Sequence, residues 1–375
     1  MFLIIVRHKF DEITVIFARF LVVICDKDTK IFNFQFSINF VPLPQIFKHK
    51  YMSLPRYGNN RFTYYLKHLT SYYFSEIFSR KKTLPVLFSG DVEEEKYIQD
   101  RVNYYNKMSQ TTAVTDEMTR IADFKRPKKR KGHSTQSAYF LDLYHYLRYF
   151  PKNFRFSSLF GDVTHIPDVP TIVKSRPIAG DNENSIILNI NKVRHFLFIK
   201  DRTPFEEKKD MLVGRMVVWQ PHRIRFWEMY FGNPLCNLGQ TDKYETLHRE
   251  WITALMPIKG QLEYKFILCL EGNDVSTNLK WVMSSNSLAV MPRPRYETWF
   301  MEGRLIPNVH YVEIKSDYSD LEERLKYYIE HPDEALQIIE NAHRHVSQFL
   351  NRKRERYIAA LTLKKYFEKT SQYEE

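Results

Sequence analysis

Glycine is scarce in this chain, with 11 residues in 375, against roughly 7% in ordinary proteins. The glycines stand at positions 58, 90, 132, 161, 180, 214, 232, 239, 260, 272 and 303, and no two lie closer than seven residues. A GxGxxG, GxxxxGK or GxSxG run is therefore impossible. That excludes the dinucleotide fingerprint, the P-loop, the protein-kinase glycine loop and the nucleophile elbow. Cysteine is scarcer still: Cys25, Cys236 and Cys269 are far apart, with no CxxC and no histidine pair at zinc-site spacing. Neither a disulfide scaffold nor a structural zinc site is expected, and a reducing compartment is. Long apolar runs are also missing, which argues against an integral membrane protein. Acidic residues fall short of basic ones, 44 against 56, for a formal net charge of +12.

What the chain does have is bulk apolar material, 43% of its residues, enough for two cores. The many Phe (28) and Tyr (24) residues match an AT-rich coding bias and carry no functional weight. Residues 1 to 51 differ from the rest. The apolar stretch Ile13 to Cys25 carries Arg19 in its middle and is too short to span a bilayer. Arg7, His8 and Lys9 precede it in the manner of a poor signal sequence, but Asp11 and Glu12 intervene and no small-residue cleavage site follows. The alternatives are an extension upstream of a start at Met52 and a membrane-surface element.

Further on, EEEKYIQDRVNYYNKM predicts a helix over 93–108, and another is expected over 137–150. Between them Lys125 to Lys131 holds six Lys or Arg in seven residues, a solvated loop or a contact for phosphates and lipid head groups. Strands are expected at 171–174, 185–190, 211–213, 264–270, 288–291 and 310–314. Helices are expected after Asp201 and over 221–230, 276–284, 321–331 and 332–351, with a final amphipathic piece ending near Phe367. Strands alternating with helices argue for an α/β fold with parallel sheets, in two halves that leave a cleft between them.

Two segments carry the chemistry. In YKFILCLEGNDVSTNLK, from Tyr264 to Lys280, a strand meets Glu271-Gly272-Asn273-Asp274, and a helix is expected to start near Ser276 and Thr277. Free N–H groups and the helix dipole would then make an anion site, to which Lys280 adds charge, although the same residues also make an ordinary βα turn. Downstream, the strand 288–291 leads into a loop with Arg293, Arg295, Tyr296, Trp299 and Glu302. Ligands of doubly wound sheets sit at the carboxyl ends of strands, so the two loops describe one pocket. Its arginines and aromatics suit phosphate and a flat base, and its carboxylate suits sugar hydroxyls.

The ordered motifs FGDVTHIPDVPTIVKSRPI, SIILNINKVRHF, QPHRIRFWEMYFGNPLCNLG, YKFILCLEGNDVSTNLKW and ETWFMEGRLIPNVHYVEIKSDYSDLEERL resemble glycosyltransferase family 90 over about residues 95 to 350. The likeness is greatest to the bacterial lipopolysaccharide core enzymes. The resemblance implies a GT-B architecture, two Rossmann-like domains facing across a cleft, with the nucleotide-sugar held mainly by the second. The expected division is a leader 1–51, an acceptor-side domain 52–204, a nucleotide-sugar domain 205–345 and a closing helix 346–375. No cofactor and no metal are implied, since the donor is a UDP-sugar and the lone DxD, Asp26-Lys27-Asp28, lies outside the matched region.

Residue by residue, the resemblance puts Arg215 at the donor diphosphate, although Met216 stands where the family often has glycine, and it brings in Arg223 after Pro221. Gly272, Ser276 and Lys280 match in the later segment, where animal members carry an arginine in place of Glu271. Glu302 joins the donor set, and Arg176 is expected to line the cleft. Transfer to a hydroxyl needs a base, and a carboxylate is the usual one. By resemblance this is a first-domain aspartate acting with inversion, for which Asp162 and Asp142 are the candidates. The expected partners are a nucleotide-sugar, a lipopolysaccharide or glycolipid acceptor and an anionic membrane surface, placing the protein in the cytoplasm or on the cytoplasmic face of the inner membrane. A nucleic-acid-binding basic protein and an inactive member of the family are the alternatives. The first has no recognition-helix, RRM or zinc signature behind it, and the second rests on Met216 alone.

Overall fold

A computed structural model of the chain describes residues 2–5, 15–18, 56–57, 61–74, 84, 91–127, 136–241 and 248–373. The Asp26-Lys27-Asp28 triplet, Met52 and residues 128–131 of the basic run lie outside the described residues. Two units are distinguished, residues 1–53 and 54–375. In the first, β1 (Phe2–Ile5) pairs antiparallel with β2 (Val15–Ala18).

The second unit begins with β3 (Arg56–Tyr57), α1 (Arg61–Phe74), α2 (Val92–Tyr105), β4 (Thr119–Arg120) and α3 (Ser137–Leu147). Then come β5 (Arg155–Leu159), β6 (Thr171–Val173), β7 (Ser175–Pro177), β8 (Ser185–Ile187), the one-turn α4 (Lys192–His195) and β9 (Phe198–Ile199). The second half runs through β10 (Lys209–Met216), α5 (Pro221–Tyr230), β11 (Cys236–Gln240), α6 (Ile258–Gln261), β12 (Tyr264–Leu268), α7 (Leu279–Val282), β13 (Leu288–Met291), β14 (Tyr296–Thr298) and β15 (Val312–Glu313). Three helices close it: α8 (Leu321–Glu330), α9 (Pro332–Ser347) and α10 (Arg352–Lys369).

Local sequence explains several boundaries. Asp91 caps α2 by accepting the Glu93 N–H at 3.0 Å, and three glutamates follow in the first turn, where the helix end favours negative charge. Proline opens α5 and α9, where its missing N–H costs nothing. Asn351 caps α10 through the N–H groups of Lys353 and Arg354.

The larger sheet is all parallel, in the order β11-β10-β12-β13-β15. Numbered along the chain these strands run 2-1-3-4-5, the doubly wound pattern of Rossmann-like sheets, whose direction of growth reverses between β10 and β12. Its inner strands β12 and β13 are buried along their whole length, on both faces, as parallel strands covered by helices must be. Phe266 and Leu268 point into a core with α5, α8 and α9, while Ile267 and Cys269 join a core shared with the first half. The smaller sheet has the order β4-β5-β6-β8, with β5, β6 and β8 parallel. β7 pairs antiparallel with β14 and so joins the two halves, while β3 pairs with β9.

Two expected elements differ. No helix follows Asp201. Its carboxylate accepts the Thr203 N–H at 3.1 Å, the Lys208 ammonium at 2.8 Å and the Asn286 N–H at 3.1 Å, and this side-chain turn competes successfully with helix formation. The helix expected over 276–284 is only the four residues of α7.

Candidate functional site

The carboxyl ends of both sheets open onto one cleft of about 280 Å³. From the larger sheet come Arg215 and Met216 at the end of β10 and the turn Gly272 to Asn278 after β12. These flank the point where the strand order reverses, the place where open parallel sheets leave a crevice. From the smaller sheet come Asp162 after β5, and Arg194 and His195 after β8. Gly161 holds φ at +116°, a value side-chain-bearing residues rarely adopt, and this turn carries Asp162 to the rim.

Asp162 is held on both oxygens. Lys174 donates to one at 2.7 Å and Asn273 to the other at 3.2 Å. Burial pushes its carboxyl up, but the Lys174 ammonium and these hydrogen bonds outweigh that and hold it below the usual carboxylate range. The same buried ammonium lies 2.6 Å from Asp274, which also accepts the Ser175 hydroxyl at 2.6 Å. Lys174 thus occupies the space between the two cleft carboxylates.

Arg223 and Arg215 supply the positive wall. The Arg223 guanidinium is fixed by three carbonyls, those of Glu271 at 2.8 Å, Val217 at 2.8 Å and Leu270 at 2.9 Å. Arg215 donates to the carbonyls of Gly214 and Asn237 and to the Asn237 side chain at 2.6 Å. Neither has an ion-pair partner among the described residues, and burial lowers the pKa of both, that of Arg223 to about 10, so both stay charged at neutral pH. Gly272 and the buried Ser276 complete the floor.

A neighbouring hollow of about 170 Å³ lies at the ends of β12 and β13 and shares Leu270, Val275 and Ser276 with the cleft. It brings the two expected loops together, with Glu271 on one side and Arg293, Arg295 and Tyr296 on the other. Glu271 is the tie: it accepts the Arg295 side chain at 2.9 Å and the N–H groups of Arg295 and Tyr296.

Of the remaining sequence candidates, Glu302 lines the neighbouring hollow, whereas Arg176, Lys280 and Asp142 line neither space. Arg176 does not line the cleft. It is fully buried, paired with Glu297 at 2.8 Å and bonded to the carbonyls of Tyr104, Tyr105 and Ser185. Lys280 and Glu302 face each other at 2.5 Å, both buried, and Glu302 also takes the Thr298 N–H and hydroxyl. With α7 a single turn, no extended helix dipole supports the anion site expected there. Asp142 is wholly buried away from the cleft, accepting the Lys192 N–H at 2.8 Å with the Lys192 ammonium at 3.3 Å; burial raises its carboxyl.

Sequence reading missed Lys174 and Asn273 as partners of Asp162, and Asp274 as the second carboxylate on Lys174. It also missed Trp219, exposed at the rim, and His195, buried with neither ring nitrogen partnered among the described residues. Burial, then Lys174, Lys280 and Arg194, keep the His195 ring neutral. Only the approach of β6 to the turn after β12, distant in sequence, marks the first three. No group of three or more His, Cys, Asp or Glu among the described residues is placed to hold a metal ion, and no helix among them is long and apolar enough to cross a membrane.

The profile described as glycosyl transferase family 90 matches residues 236–370. O-glucosyltransferase LpsA of Dichelobacter nodosus is 48% identical over 273 residues, which make up 72% of this chain and 82% of that protein.

Proposed function

The chain belongs to glycosyltransferase family 90, and on that premise we propose that it moves a hexose from a UDP-sugar to a hydroxyl of a lipopolysaccharide core or related surface glycan, with inversion and without a metal. Glucose, the sugar in the name of the relative, is the first donor to test. The observation that carries this reading is the convergence of Asp162 with Arg215, Arg223, Gly272 and Ser276 at one cleft.

In this proposal residues 52–204 form the acceptor-side domain and 205–345 the nucleotide-sugar domain of a GT-B enzyme, closed by residues 346–375. The nucleoside takes the hollow beside Tyr296 and Tyr318, the diphosphate passes over Ser276 and Gly272 toward Arg223, and the hexose faces Asp162. Asp162, kept ionised by Lys174, removes the proton of the acceptor hydroxyl as its oxygen attacks the anomeric carbon and the bond to the diphosphate breaks. Charge gathering on the leaving diphosphate is met by Arg215 and Arg223, already fixed by carbonyls and so without reorganisation. A cation between Asp162 and Asp274 would have to displace Lys174, which supports the metal-free reading. The net charge favours approach to an anionic membrane surface.

The test is transfer from a panel of UDP-sugars to truncated core glycans. Wild-type protein is expected to turn over one pair, and Asp162→Asn to lose roughly 10²- to 10⁴-fold in kcat with UDP affinity retained. No turnover with any pair, or full activity of the variant, overturns the assignment.

A further inference from the structure

The one-turn α4 sends Arg194 and His195 to the cleft, while Lys192 and the following Phe196 line a different hollow of about 180 Å³. Its other walls come from α1, α3 and the start of α10. The acidic groups at this place are already used. Glu355 accepts Arg101 at 2.5 and 3.0 Å and the Trp299 indole at 2.6 Å, and Asp142 is held by Lys192. The cations are not used in this way. Lys67, Arg352 and Arg356 line the hollow with no ion-pair or hydrogen-bond partner among the described residues.

Unfilled polar groups accompany them. Asn189 is buried with its Oδ1 unpartnered. His68 and His145, ring centroids 5.6 Å apart, make ring contacts but no side-chain hydrogen bonds among the described residues. Burial, then Lys192, Lys67, Arg148 and Arg356, hold His68 neutral down to about 3, and burial, then Lys192, Arg148, Arg356 and His68, lower His145. Burial and the Arg356, Arg352, Lys192 and Arg148 charges also press the Lys67 ammonium below its ordinary range. Lys67, Arg352 and Arg356 are exposed at this place and open to an anion, and paired guanidinium forks suit a phosphate. Beside the charges stand Tyr146, Phe198 and Phe349, an apolar wall suited to the less polar face of a sugar ring.

We propose that this hollow binds a phosphorylated sugar, its phosphate held by Lys67, Arg352 and Arg356 and its ring laid on the aromatic wall. The site is separate from the donor cleft, and its binding does not rest on the transfer reading. The phosphosugar belongs either to the acceptor glycan or to a free sugar phosphate.

Calorimetry on the full chain, with glucose 6-phosphate, inorganic phosphate, glucose and UDP, tests it. Saturable binding of glucose 6-phosphate, tighter than that of phosphate and absent with glucose, is expected. Arg352→Ala/Arg356→Ala, on exposed positions of α10, is expected to weaken it by roughly tenfold or more with UDP affinity unchanged. Arg356→Lys, which keeps the charge, retains part of the affinity. No saturable binding, or an unaltered double variant, overturns the proposal. Transfer assays then separate the sources. If the phosphosugar is part of the acceptor, the double variant raises KM for a phosphorylated glycan and not for its phosphatase-treated form. If it is free, added glucose 6-phosphate changes the wild-type rate and not that of the variant.

Discussion

Two sets of cations, one fully buried and one partly so, lie within one unit and are treated in opposite ways. Behind the cleft, around β7, β14 and α7, Arg176 and Lys280 each face a buried carboxylate, Glu297 or Glu302. At the cleft, Arg215 and Arg223 are held by carbonyls and an amide, and no carboxylate pairs with them among the described residues. Carbonyl contacts fix a guanidinium without cancelling its charge, whereas a buried carboxylate cancels it. Availability to an anionic ligand is therefore set by the counter-ion, and residue type does not reveal it.

The largest effect that probes this contrast is structural. Lys280→Met leaves Glu302 uncompensated and is expected to cost about 3–5 kcal/mol of stability in denaturant unfolding. Lys280→Met/Glu302→Gln should recover most of that, with UDP affinity of the folded protein unchanged. A stable Lys280→Met protein that has lost UDP binding would reverse the assignment. Next in size, Arg215→Ala is expected to weaken UDP binding by roughly tenfold to a hundredfold in calorimetry, with little change in melting temperature. Equal affinities for this variant and wild type would remove Arg215 from the site.

The smallest effect concerns pH. Asp162 has its carboxyl held down by Lys174, so the ionised base persists above the folded pKa and is lost only as pH falls through it. Lys174→Met removes that ammonium and raises the carboxyl, so the acid limb of kcat/KM should move to higher pH. An unmoved limb with normal folding would show that Lys174 does not set the state of the base.

Features encoded in short windows were legible in the chain. The helix over 221–230 has proline at its start and a period that buries Phe226, Trp227 and Tyr230, and the strand 288–291 is apolar throughout. Asp162 was legible as a loop residue because glycine precedes it. The three-residue strands β7 and β14 were not, because each exists only through the other, 121 residues away at the Arg176↔Glu297 pair. The same distance hid the counter-ion of Arg176. Lys280 and Glu302 were both picked as ligands of a third party, and sequence alone gave no sign that each satisfies the other. The turn after Asp201 was missed because two local bonds and one from Asn286, 85 residues away, converge on one carboxylate and override a helix-like pattern.

The last helix returns to the first half of the chain. Phe367 of α10 packs on Phe150 and Phe154, its Tyr366 hydroxyl accepts the Ser157 N–H, Glu355 holds Arg101, and Gln372 beyond it accepts the Arg155 N–H. During synthesis this inverts the usual order of completion. The smaller sheet and α2 leave the ribosome first, yet their core lacks a wall until some 200 further residues have been made. The half translated earliest is the half finished last, so the nascent protein carries an open apolar face through the whole synthesis of its second half.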